Sequence, residues 1–175
     1  MIGIIIATMN GTGAGLKFAG YIEYLGQGQL FLSLFLAMIG ALLLGMGMPT
    51  LPAYLVIILV LGPAIERMGL SSLTIHMFVF YYGVASSITP PVALAAYAAA
   101  PIAGSNPLQT GIMAVRLGAA KFVVPFIFAY NPTLLLIEVF EPVTFTLILA
   151  RTILAFFLFA TVMAGFHRTA LNWPE

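Results

Sequence analysis

The sequence predicts an all-α, polytopic membrane protein with a re-entrant hairpin and a discontinuous transmembrane helix. Three observations carry this fold class. Of 175 residues, 62% are hydrophobic and only 6% are charged, against roughly a quarter charged in a soluble domain. So few charges cannot clothe a water-facing surface, so most of it must meet lipid or other protein. Apolar runs follow one another along the chain, and at ~20 residues per span they could supply about five or six spans or part-spans. Finally, glycines, prolines and hydroxyl residues interrupt these runs at GMGMPT (Gly45–Thr50) and ITPP (Ile88–Pro91). A simple anchor needs no such breaks, whereas transporters use them.

Residues 1–29 read as a truncated helix end and an interfacial segment. Met1–Ala7 (MIGIIIA) lacks a basic flank and a small-residue cleavage site, so it is a poor signal peptide, and it is too short to span. It is either a short re-entrant piece or a truncated span. The glycines of TMNGTGAGLK (8–17) let the backbone leave helical geometry cheaply. Lys17, Tyr21, Glu23 and Tyr24 suit a membrane interface.

Residues 30–66 read as a re-entrant helical hairpin with its tip near 45–50. Leu30–Met48 is about one membrane thickness of apolar chain, and Leu51–Ile65 resumes after only Pro49 and Thr50. The turn carries no charge or aromatic belt, and the second arm is shorter than a span. A tip inside the membrane accounts for all three features. Gly45, Gly47, Pro49 and Pro52 predict irregular backbone there, which is tolerated at membrane depth only when buried in protein or lining a cavity. Glu66–Arg67 closes the hairpin as a solvated turn.

Residues 71–104 read as one discontinuous transmembrane helix broken at 88–91. Pro90 and Pro91 interrupt the hydrogen-bond ladder and push Thr89 out of the helical region. The stretch 105–142 reads as interfacial and short membrane helices: a turn at Ser105–Gln109, an interfacial or cavity-side helix with Arg116 and Lys121, and an aromatic run closed by Asn131–Pro132. The stretch 143–175 reads as a C-terminal transmembrane helix containing Arg151, capped by His167–Arg168, and a tail with interfacial Trp173. The basic residues are too few and scattered to fix orientation.

A broken helix offers free carbonyls at one half's end and free amides at the start of the other. Carbonyls near Gly45–Met48 and Ser86–Ile88, with the hydroxyls of Thr50, Ser86, Ser87 and Thr89, would make a hard oxygen cage for a small cation such as sodium. The alternative is that both motifs are kinks and small-residue packing sites. Arg116 and Lys121 either bind an anionic substrate or anchor the chain by snorkelling. Arg151 is a functional candidate because it lies inside an apolar run, and snorkelling or pairing with Glu138 or Glu141 is the competing reading. His76 reads as an interfacial hydrogen bonder or a proton relay.

Several classes are disfavoured. The net charge of +1 gives no nucleic-acid footprint. The chain has no cysteine, no HExxH and no GxxxxGK[ST] loop, and its serines lack a plausible His/Asp partner set. No catalytic set, organic cofactor or nucleotide hydrolysis is expected, so the chain does not read as an enzyme.

The stretches GTGAGLKF (11–18), LLLGMGMPTLPAYL (42–55), GPAIERMGL (62–70), FVFYYGVASSITPPVALAAYAAAPIAGSNP (78–107) and AVRLGAAKFVVPFIFAYNPTLL (114–135) resemble the large membrane subunit of tripartite ATP-independent periplasmic (TRAP) transporters. The closer likeness is to fused small-plus-large permeases that work with TAXI-type binding proteins. The tail from about 143 is similar in hydropathy only. The resemblance implies a multi-pass, sodium-coupled importer of organic acids in the bacterial inner membrane, fed by a periplasmic solute-binding protein. It implies an elevator-type protein with two related halves, in which GMGMPT is the tip of the second hairpin and ITPP the second helix break. Sodium contacts then carry over to Gly45, Gly47, Thr50, Ser87, Thr89 and Pro90; the substrate-binding residues stay open. Set against the family pattern, this sequence corresponds to the C-terminal half, without the first hairpin and the small-subunit helices. The expectation is therefore a partner carrying the N-terminal half and small subunit, with no transport by this chain alone. Competing readings are a non-functional membrane remnant, a small pore and, least favoured, a membrane enzyme.

Overall fold

A computed structural model of the chain describes residues 2–26, 28–137, 140–164, 166–167 and 169–170. Nine α-helices occupy the described residues: α1 (Ile2–Thr12), α2 (Ala14–Gly26), α3 (Leu30–Gly45), α4 (Thr50–Glu66), α5 (Ser72–Ser86), α6 (Leu94–Ala99), α7 (Pro107–Leu117), α8 (Ala120–Tyr130) and α9 (Pro142–Ala164). A 3-10 turn covers Pro132–Leu135, and a two-residue antiparallel ladder pairs Phe166–His167 with Thr169–Ala170. Glu138, Arg168 and Trp173, to which the sequence assigns pairing, capping and interfacial roles, lie outside the described residues.

The helix α4 sits at the centre, packed by α2, α3 and α5, while α8 covers the far side of α5. The buried core runs through Ala19 and Ile22 of α2, Leu34 and Ala37 of α3, Ile57 and Leu61 of α4, and Phe78 and Tyr82 of α5. Its alanines and glycines let backbones approach, the packing rule where lipid gives no hydrophobic drive between helices. The surface remains apolar. The chain exposes 10546 Å², against about 8300 Å² for a soluble monomer of its mass. Leu43, Phe80, Ile102, Leu147 and Phe157 are among the exposed side chains.

Hydroxyls on the exposed helices find internal partners. Thr8, Thr12, Thr146 and Thr161 each donate to the carbonyl four residues back, at 2.7–2.8 Å. A hydroxyl facing hydrocarbon has no water to bond, so it turns onto its own helix.

Three local readings change. The glycine-rich stretch 8–17 is helical except at Gly13, whose φ of +63° joins α1 to α2. Gly15 is instead a contact position: a Cβ there would lie 3.5 Å from the Leu59 carbonyl oxygen. Pro52 makes no irregular backbone, because it lies in the first turn of α4, where no intrahelical amide is needed. The irregular tip is confined to Met46–Pro49. Lastly, α7 and α8 are parted only by Gly118 and Ala119. The 24-residue stretch Pro107–Tyr130 is, like Pro142–Met163, long and apolar enough to cross a membrane. The sequence reading separates an interfacial helix there from a short apolar one.

Capping fixes the start of α5. The Ser71 side chain accepts from the Thr74 amide at 3.3 Å and meets the Thr74 hydroxyl at 2.9 Å. Ser71→Ala is expected to lower unfolding stability by ~1 kcal/mol, read as a lower midpoint in a denaturant titration of the solubilised protein.

Candidate functional site

The tip of the α3–α4 hairpin meets the end of α5. Gly45 ends α3, and the turn closes through the Met46 amide on the Leu43 carbonyl (3.4 Å) and the Met48 amide on the Gly45 carbonyl (3.3 Å). Gly47 takes φ +76°, the left-handed region that a side chain disfavours. Pro49 then precedes α4 with extended geometry, φ −59° and ψ 156°.

The helix α5 tightens as it ends. The amides of Ser87, Ile88 and Thr89 bond three residues back, at 3.2, 3.1 and 3.3 Å, the 3-10 pattern of a terminating helix. A cis Pro90–Pro91 bond follows, then Ala93 at φ 36°. The Ala93 amide returns to the Thr89 carbonyl (3.1 Å) and the Ala95 amide to the Ser87 carbonyl (3.0 Å). The break is therefore a closed loop bonded to both half-helices. The second half, α6, is only six residues long.

One side chain ties the two interruptions together. The fully buried Ser86 hydroxyl lies 3.1 Å from the Gly45 carbonyl and 2.8 Å from its own helix at Gly83. A Cβ on Gly47 would meet Val92 at 3.6 Å, so the second glycine of the tip also faces the break. Across the hairpin, a Cβ on Gly83 would lie 3.5 Å from the Tyr54 amide, so α4 approaches α5 closely there as well.

The candidate residues fall unevenly around this junction. Gly45 is buried, Gly47 exposed, and Thr50, Ser87, Thr89 and Pro90 half-buried. The Ser87 and Thr89 hydroxyls donate to the Val84 and Ala85 carbonyls, at 2.7 and 2.8 Å. Their lone pairs stay available while their protons are used. Thr50 opens α4, and its hydroxyl has no hydrogen-bond partner among the described residues. Pro90 packs towards α7, where a Cβ on Gly111 would come within 3.2 Å of its ring.

The two interruptions themselves offer only neutral oxygens. Among the described residues no donor takes up the carbonyls of Met46, Gly47, Ile88 or Pro90. No Asp or Glu lies between Glu23 and Glu66 or between Glu66 and Glu138. Carbonyls and hydroxyls without a carboxylate suit a hard monovalent cation better than a divalent one, which draws on charged oxygens. The Gly45 carbonyl accepts from the Met48 amide and shares the single Ser86 hydroxyl proton with the Gly83 carbonyl. The sequence placed Ser86 only among the cage hydroxyls. Its tying role depends on a contact 41 residues away, which no local pattern encodes.

The remaining polar candidates sit elsewhere. His76 Nδ1 lies 2.6 Å from the Tyr54 hydroxyl, joining α5 to α4. His76 also shares a cavity of about 200 Å³ with Glu66, towards the hairpin base. Arg116 donates through Nε to the Met163 carbonyl at 2.6 Å, capping α9 from α7. Lys121 is exposed at the start of α8. Arg151 makes no ion pair with Glu141. Glu141 directly precedes α9, ten positions before Arg151 and ~15 Å away along the helix axis, and it accepts from Thr144 instead.

The model of one family, described as "Tripartite ATP-independent periplasmic transporter, DctM component", matches residues 1–143. No curated protein and no solved structure matches the chain.

Proposed function

The chain belongs to the DctM family of tripartite ATP-independent periplasmic transporters, a family of membrane permeases, and on that premise we propose that it forms part of a sodium-coupled importer of organic acids. Family membership implies work with a small permease subunit and a periplasmic binding protein. In this reading the protein lies in the bacterial inner membrane as a multi-pass permease. The hairpin tip and the α5–α6 break form one of two repeat-related half-sites, and transport requires the companion half.

The observation that carries the reading is the meeting of the two interruptions at Gly45 and Ser86. Two kinks serving packing alone have no need to meet. Their meeting supports a shared site, with sodium held by the free carbonyls beside Gly47 and Ile88 and the hydroxyls of Thr50, Ser87 and Thr89. Secondary transporters bind ions and substrate where broken helices converge.

The test is uptake of a labelled organic acid into liposomes holding this chain, with and without the N-terminal half and the binding protein, under a sodium gradient. Uptake is expected only in the complete system and only with sodium. Thr89→Ala and Thr50→Ala are expected to raise the sodium concentration for half-maximal uptake about tenfold each, the effect of losing ~1.4 kcal/mol of binding. Sodium-independent uptake by this chain alone would identify a pore. An unchanged sodium dependence in both variants would leave the two breaks a purely structural role.

A further inference from the structure

The cleft between α8 and α9 holds an arginine that the transport reading does not use. The helix α9 is 23 residues long, or ~34 Å, close to the ~30 Å of a bilayer's hydrocarbon. Arg151 lies ~14 Å from the Pro142 end and ~20 Å from the other. That is near mid-depth, beyond the snorkelling reach of an arginine stem, and a guanidinium does not deprotonate in proteins. A charge at this depth faces the bundle interior or a cavity and needs a counter-group.

The surroundings supply polarity but no acid. Arg151 lines a cavity of about 260 Å³ with Asn131, Thr152, Ile127, Ile148 and Ala155. The Thr152 hydroxyl donates to the Ile148 carbonyl at 2.8 Å. One Asn131 amide hydrogen bonds the Ile127 carbonyl at 3.2 Å, leaving its second hydrogen for a ligand. Asn131 caps the C-terminus of α8, whose dipole offsets about half a charge. Among the described residues Arg151 has no carboxylate partner. Leu147, Leu154 and Leu158 of α9 are exposed, and Arg151, exposed on the same stripe, borders the cavity beside α8.

We propose that this cavity binds a small oxyanion, of which a carboxylate is the best fit, between the Arg151 guanidinium and the Asn131 amide. The planar fork of arginine matches the two oxygens of a carboxylate, and the volume admits a small carboxylate with water. The site is separate from the hairpin–helix junction, does not depend on the transport reading, and includes Arg151 of α9, which lies past residue 143, where the family match ends. A lipid phosphate offers the same chemistry, but its headgroup lies at the membrane surface and not at mid-depth.

The experiment uses the full chain in zwitterionic-lipid nanodiscs, with thermal unfolding followed in sodium chloride, acetate or succinate at equal sodium. Acetate or succinate is expected to raise the midpoint by about 5–10 °C over chloride when present at a hundredfold excess over its dissociation constant. Arg151→Gln should remove the response. Asn131→Asp should supply a carboxylate from the chain, giving a higher midpoint in chloride and no further gain from acetate. If Arg151→Gln does not fold, the Asn131→Asp arm still decides. Stabilisation by phosphatidylglycerol nanodiscs, with no acetate response, would assign the site to lipid and overturn the proposal. So would an acetate response that appears only in Glu138→Gln, because the chain's own carboxylate would then fill the cavity.

Discussion

Gly45→Val is expected to separate the hairpin tip from α5 and to abolish transport by the assembled permease. A Cβ at residue 45 would stand 2.6 Å from the Ser86 hydroxyl oxygen and 2.9 Å from the Ser86 Cβ, with Ile57 at 3.4 Å. The Ser86 side chain is short and fully buried, so it cannot swing away, and the helices must part. Overpacking of this kind costs ~1–3 kcal/mol. Losing the hydrogen bond to the Gly45 carbonyl adds ~1 kcal/mol, for a sum of ~2–4 kcal/mol. The measurement is the unfolding midpoint of the solubilised protein, alongside uptake. A compensating change gives a sharper check. Gly45→Ala alone should destabilise, and Gly45→Ala with Ser86→Gly should recover most of the loss, because the second change removes the atoms that clash. A non-additive double-mutant cycle is the expected signature of direct contact. Wild-type stability in Gly45→Val would show that the two interruptions do not touch.

Tyr82→Ala is expected to loosen α5 from α8 and to cost ~3–4 kcal/mol. Tyr82 is fully buried. Its ring packs edge-on against Phe78 at 4.8 Å, and Phe78 in turn meets Phe126 of α8 at 6.0 Å. Its hydroxyl donates to the Phe122 carbonyl at 2.7 Å. In lipid the water-transfer part of burial fades, since the chains outside are as apolar as the core. The lost dispersion contacts and the cavity remain. Tyr82→Phe keeps the ring and removes only the hydrogen bond, worth ~0.6 kcal/mol between membrane helices. Denaturation in mixed micelles should therefore rank wild type, Tyr82→Phe and Tyr82→Ala in that order, with most of the loss in the last step. Equal losses in both variants would move the weight from packing to the hydrogen bond.

These two sites differ in how far the sequence announces them. The glycines and prolines of GMGMPT and ITPP mark breaks in the chain, and the structure places a turn at Met46–Pro49 and a closed loop after Ser86. That the breaks touch through Ser86 is a different kind of fact, joining positions 41 residues apart. The glycines of 8–17 mislead for the same reason. Gly11 and Gly15 look like helix breakers, yet only Gly13 breaks the helix, and Gly15 serves close approach to α4. A glycine needed for backbone freedom and one needed for lack of bulk are the same letter. Only the neighbour across the contact tells them apart.

Composition and apolar run length by themselves determined an all-helical membrane chain, because a helix satisfies its backbone within one segment and lipid offers no other partner. Gly, Pro and Ser placement determined the breaks and the α5 start, because φ, ψ and capping are local. The tertiary structure alone decided that Ser86 ties the tip to the break, that α7 and α8 nearly join, that Arg116 caps α9 and that Arg151 and Asn131 border one cavity. Each of these depends on which apolar faces pair. Apolar faces in a membrane chain are nearly interchangeable by sequence, and their choice is set by small steric fits between distant segments.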